Sequence, residues 1–143
     1  MTSLDRFVLM FFMAMALALN GVIGKRNVDV IPIFGKHHVY VGNDLGEGVT
    51  LTLHCASRDD DLGTHVLPYG ANYTWGFRSH LWKRTLFWCD FKWGSVNAQN
   101  CTVYDGKTEQ SFHSNAHWLS RMDGLYFYIH SDEKYKLFMS WGK

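Results

Sequence analysis

Three consecutive carboxylates stand in the stretch HCASRDDDLG, residues 54–63. Carboxylate oxygens are the ligands that calcium prefers. A calcium loop, however, spaces its ligands so that they converge, as in D-x-D-x-D-G followed by a later glutamate. Asp59, Asp60 and Asp61 are adjacent, and no glutamate follows at the matching distance. The stretch is therefore expected to be a polar turn that ends a strand. Aspartates accept backbone N–H groups in such turns, and Gly63 is suited to a positive φ. A turn of Arg58, Asp59, Asp60 and Asp61 is exposed and charged, hence available to a binding partner.

The other chemistry-bearing residues assemble no set. His113 and His117 have H-x-x-x-H spacing, which binds zinc when both lie on one helix face. Beside a strand they stand roughly 13 Å apart. Lys36-His37-His38 is isolated, so no metal and no cofactor are expected. In SHLWKR (79–84), His80 and Trp82 lack the glycine and the second histidine motif of a paired-histidine ribonuclease. No G-x-S-x-G elbow marks a serine hydrolase. Cys55 and Cys89 fall on apolar strand faces, where thiols are inert. No residue is expected to be catalytic, and the chain is not expected to be an enzyme.

The elements that position these residues read as strands. GVTLTLHC puts Val49, Leu51, Leu53 and Cys55 on one face, the period-two pattern of a half-buried strand. LFWCDFKW does the same with Phe87, Cys89, Phe91 and Trp93, and YTWGF, LYFYIH and YKLFMSW alternate too. HVYVGN and CTVYD are weaker runs. Residues 58–72, 94–99 and 105–116 have turn compositions. The expected fold is all-β, a small antiparallel β-sandwich of about seven to eight strands. Trp88, opposite in parity to Cys89, is expected to be buried as well, under a loop. Recognition on such a scaffold falls to its loops, here chiefly 58–70, 94–100 and 105–115.

Residues 1–24 read as a secretory signal peptide: Arg6 precedes an apolar run from Phe7 to Leu19, which is short for a membrane span. Cleavage is expected after Gly24, with Ala18 as the alternative, which leaves residues 25–143 as a single domain in the extracellular space. The net charge of +1 gives no reason to expect nucleic-acid binding. Asn72-Tyr73-Thr74 and Asn100-Cys101-Thr102 are N-glycosylation sequons, each with its asparagine on the polar side of a strand.

Taken together, LTLHCASRDDDLG (51–63), YTWGF (73–77), TLFWCDFKW (85–93), VYD (103–105) and DGLYFY (123–128) resemble the plant self-incompatibility S1 family, the S-protein homologues. The resemblance spans nearly all of residues 25–143. It implies a small secreted β-sandwich acting as a recognition or signalling ligand for an unidentified cell-surface receptor, the setting of the founding members being pollen–pistil recognition. The alternative is a secreted cell-wall enzyme or enzyme inhibitor. The chain departs from the family where a C-x-x-C-x-W element is usual: His113 and Ala116 replace the cysteines, Trp118 is kept, and Cys101 is extra.

The three cysteines, Cys55, Cys89 and Cys101, therefore need their own pairing. Cys55 and Cys89 meet in an inter-sheet bridge if their strands face each other across the sandwich. Cys101 is the alternative partner of Cys89, or a buried thiol. A monomer is expected, with a disulfide-linked dimer open to an unpaired cysteine.

Overall fold

Alternating burial carries the sequence periodicity into nine strands in the computed structural model, which describes residues 35–78, 84–107 and 115–142. The strands are β1 (Lys36–Asn43), β2 (Leu51–Ser57), β3 (Asp61–Leu67), β4 (Asn72–Arg78), β5 (Leu86–Trp93), β6 (Val96–Asp105), β7 (Asn115–Arg121), β8 (Gly124–Ile129) and β9 (Lys134–Ser140). The expected signal peptide, His80, Trp82 and His113 lie outside the described residues.

The strands form two sheets, one of five in the order β4-β1-β7-β8-β9 and one of four in the order β3-β2-β5-β6. Their inner faces meet over a core that includes Val39, Val41, Leu51, Leu53, Phe91, Val103, Trp118 and Leu125. Each of these sits on the apolar side of its strand, as packing of two sheets requires. Two side chains join the layers through polar atoms. Trp118 on β7 donates its indole N–H to the Val103 carbonyl on β6 (2.8 Å). Asn43, at the end of β1 and 2% exposed, donates to the Leu67 carbonyl on β3 (2.9 Å) and the Val49 carbonyl (2.8 Å).

The all-β sandwich stands, with three corrections. The described strands number nine rather than seven or eight, because β3 lies inside the expected turn 58–72 and β7 begins inside 105–116. β6 likewise starts at Val96, within the expected turn 94–99. One pair is parallel: β1 runs alongside β7 in register Val39↔Ala116, Val41↔Trp118. A parallel neighbour requires a crossover, and the chain visits the other sheet between these two strands. Finally, Trp88 is half-buried on the outer side of β5 and is absent from the core.

Candidate functional site

The acidic stretch divides between a turn and a strand. The Ser57 N–H donates to the Asp60 carbonyl (2.7 Å), and the Asp60 N–H donates to Ser57 Oγ (3.1 Å), which closes the turn that ends β2. Arg58, Asp59 and Asp60 are exposed on it. Asp61 instead opens β3. Its Oδ1 accepts the Gly63 N–H (2.9 Å) and lies 2.7 Å from His54 Nε2. The Gly63 bond and the His54 bond hold the Asp61 carboxyl below its ordinary range. Gly63 has φ 79°, as an Asx turn ending in glycine requires. Of the four turn residues anticipated from sequence, Arg58, Asp59 and Asp60 stay together and Asp61 is committed to the strand pair.

Those three residues wall a cleft of about 640 Å³ that also meets Phe77, Arg78 and Trp88. Arg84, on the same cleft, is fastened to Asp105. Its Nε donates to Asp105 Oδ1 (2.8 Å), and its second nitrogen contacts Asp105 Oδ2. Asp105 also accepts the Lys107 N–H (3.1 Å), and its carboxyl is held below the usual range chiefly by the Arg84 bond, against the opposing effect of burial. The cleft is thus framed by charged groups of both signs, with aromatic rings between them.

His54 was not singled out from sequence, yet it links three strands. Its Nε2 faces Asp61, and its Nδ1 lies 3.9 Å from Asp90 Oδ2. Both ring nitrogens therefore face carboxylates, leaving neither aimed at a nucleophile, which is not the geometry of a general base in a catalytic triad. Asp90 in turn accepts the Asn100 N–H (2.7 Å). The available signal was parity. Once Cys55 and Cys89 are opposite each other in antiparallel strands, His54 and Asp90 must be opposite too.

The cysteines form a row across three strands: Cys55 on β2 pairs with Cys89 on β5, and Cys89 pairs with Cys101 on β6. A disulfide joins Cys55 and Cys89, whose Cα atoms are 4.1 Å apart, and Cys101 is free and buried. The bridge lies within one sheet, which corrects the expected inter-sheet bridge. The pairing has a geometric reason. The short separation marks a non-hydrogen-bonded antiparallel pair, near 4.5 Å, and a residue so placed toward one neighbour faces the other at the wider spacing of about 5.5 Å. Burial, with a smaller contribution from Asp90, pushes the Cys101 thiol up to about 11.

His37 is 2% exposed and stacks near Phe77 (5.7 Å), while His38 and His117 lie on the outer side of the five-stranded sheet. Among the described residues no three His, Cys, Asp or Glu side chains are placed to hold a metal ion. Ala116, where the family has cysteine, is 1% exposed against Val39. Asn72 and Asn100 are both exposed, Asn100 at φ 55°.

The sequence profile of the plant self-incompatibility protein S1 family matches residues 38–141. S-protein homolog 5 of Arabidopsis thaliana is 37% identical over 94 residues, which cover 66% of this chain and 73% of that protein. S-protein homolog 6 of the same plant is 35% identical over 103 residues, covering 72% and 73%. The fold is similar to a solved structure from the SPH (self-incompatibility protein homologue) proteins, described as a widespread family of small, highly stable, secreted proteins from plants. That likeness has a TM-score of 0.57 at 18% identity, covering 77% of this chain and 97% of the other. Nearly the whole described sandwich falls inside the matched region, and on that ground the chain belongs to the plant self-incompatibility protein S1 family.

Proposed function

We propose that the protein is a secreted recognition ligand for a cell-surface receptor, with the leader 1–24 removed and the cleft beside the Arg58–Asp60 turn as its contact site. The observation that carries this reading is the placement of that turn. Three exposed charged residues border a cleft on a two-sheet scaffold that is braced by a buried disulfide. Loops held by such scaffolds are where recognition is usually placed. Secretion rests on the apolar leader and on the description of the structural relative as secreted. The test is binding of labelled protein, purified from culture medium, to pollen and to vegetative cells; pollen–pistil recognition is the narrower form of the reading. Saturable binding that the triple variant Arg58→Ala, Asp59→Ala, Asp60→Ala weakens about tenfold is expected. Unchanged binding by the folded variant would remove the turn from the contact.

An N-glycan on Asn72 belongs to the same proposal. Asn72 is exposed on β4, an edge strand, whereas the Asn100 N–H is tied to Asp90 and its neighbour Cys101 is buried. Asn72 is expected to be the more fully occupied site. Peptide mapping after glycosidase treatment checks it, and full occupancy at Asn100 with Asn72 bare would contradict it.

A further inference from the structure

The outer face of the five-stranded sheet carries a row of rings that the fold does not need for its core. By register the outward positions include Lys36, His38 and Tyr40 on β1, His117 and Arg121 on β7, Tyr126 and Tyr128 on β8, and Tyr135 and Leu137 on β9. Tyr40 and His117 stack at 4.4 Å with 8° between their planes. Tyr128 meets His117 edge-on at 6.3 Å and Tyr135 at 5.1 Å. Arg121 lies over the Tyr126 ring at 4.6 Å. Gly76 makes room for one of these rings: a Cβ there would crowd the His38 ring (3.0 Å).

Among the described residues, the outward strand positions hold Lys36, Arg78 and Arg121 and no Asp or Glu. The carboxylates nearest its edge are already engaged. Asp44 pairs with Arg121 (2.8 Å), and Asp123 accepts the Tyr126 hydroxyl (2.7 Å). Burial and the neighbouring charge of His130 keep the His117 pKa below its ordinary value, so at neutral pH the centre of the row is uncharged. The result is a patch of rings with Lys36 and Arg78 at one edge, while Arg121 is already paired with Asp44. Tyrosine and arginine are enriched in protein interfaces, and hot spots gather at the centre of the patch.

We propose that this tyrosine–histidine face is a second contact surface, which takes a protein partner presenting an apolar centre bordered by carboxylates. Charge complementarity to Lys36 and Arg78 calls for carboxylates on the partner. The Tyr40–His117 stack covers one face of each ring, and the ring edges and tyrosine hydroxyls remain for side chains to pack against. The proposal rests on the reading of the chain as a receptor ligand.

The test uses labelled, secreted full-length protein on wall-free protoplasts, on the same protoplasts after surface proteolysis, and on walled cells. The variants are Tyr40→Ala with Tyr128→Ala, the exposed-site change Lys36→Glu, and Thr52→Ala on the other sheet as a control, each checked for native melting. The expected result is saturable, protease-sensitive binding to protoplasts, weakened about tenfold by the double tyrosine change and severalfold by Lys36→Glu, with the control unchanged. If the tyrosine change prevents folding, Lys36→Glu decides alone. Wild-type affinity in the face variants would overturn the face while leaving the ligand reading in place. Binding to walled cells only, or binding that resists proteolysis, would overturn the protein partner in favour of a polysaccharide or lipid. No saturable binding on any cell would remove the ligand reading, and this proposal with it.

Discussion

Cys89 stands between two possible partners, Cys55 in the narrow pair and Cys101 on the far side, so substituting one cysteine is not equivalent to substituting another. Cys89→Ser removes the bridge and leaves no neighbouring pair, with an expected loss of about 2–4 kcal/mol. Cys55→Ser leaves Cys89 beside Cys101, and the oxidised variant is expected to link those two and to lose less. Denaturant melts with non-reducing peptide mapping check this; equal losses with Cys89 and Cys101 both free would contradict it. Asp105 offers a pH-dependent test. Its carboxyl is depressed in the folded state by Arg84 and the Lys107 N–H, so its contribution is present above the unfolded value of about 3.9 and is lost as pH falls through the lower folded value. Asp105→Asn should cost about 1 kcal/mol near neutrality, at the low end because Arg84 is half exposed. The variant's melting temperature should also fall less steeply below pH 4 than the wild type's. Parallel pH–melting curves for the two proteins would show that the pair contributes nothing.

Two glycines separate backbone conformation from close packing at the level of the strand pair. Gly63 has φ 79° with nothing within 4 Å of an added Cβ, so Gly63→Ala carries only conformational strain, about 1 kcal/mol. Gly124 on β8 would press a Cβ into the Met139 backbone and Leu137 of β9, and Gly124→Ala should cost more, about 1–3 kcal/mol. Denaturant melts order the two, and a larger loss at Gly63 would contradict the packing argument. The same contrast explains what was legible in the chain. β2 and β5 bury Leu51, Leu53, Phe87 and Phe91 on one side, and their period of two shows in the sequence. β7 buries Ala116, Trp118 and Ser120, so its inner face holds one large apolar residue and no alternation to read. β3 is an edge strand that starts at Asp61 and contains Gly63, residues disfavoured in strands, and it is held by pairing to β2 rather than by propensity. The turn at Arg58–Asp60 was legible because its composition is local. The attachment of Asp61 to His54, and of Arg84 to Asp105, depends on which strands are neighbours, and composition does not carry that information.

Across the whole molecule, two sheets enclose one core, Asn43 and Trp118 bond between the layers, and the disulfide ties β2 to β5 inside the smaller sheet. Each of these features stabilises the scaffold, and the core reaches the cleft through Phe87, which lines it. The cleft and the outer face of the five-stranded sheet display charged groups and aromatic rings, which suit binding. The protein is proposed to act by occupying a receptor. The most direct measurement is the binding isotherm of the labelled protein, purified from culture medium, on intact target cells, with excess unlabelled protein as competitor. A saturable isotherm with sub-micromolar half-occupancy, of the order expected for a specific recognition pair, and full displacement by the competitor are expected. A linear isotherm that the competitor leaves unchanged, on every cell type tried, would contradict receptor occupancy.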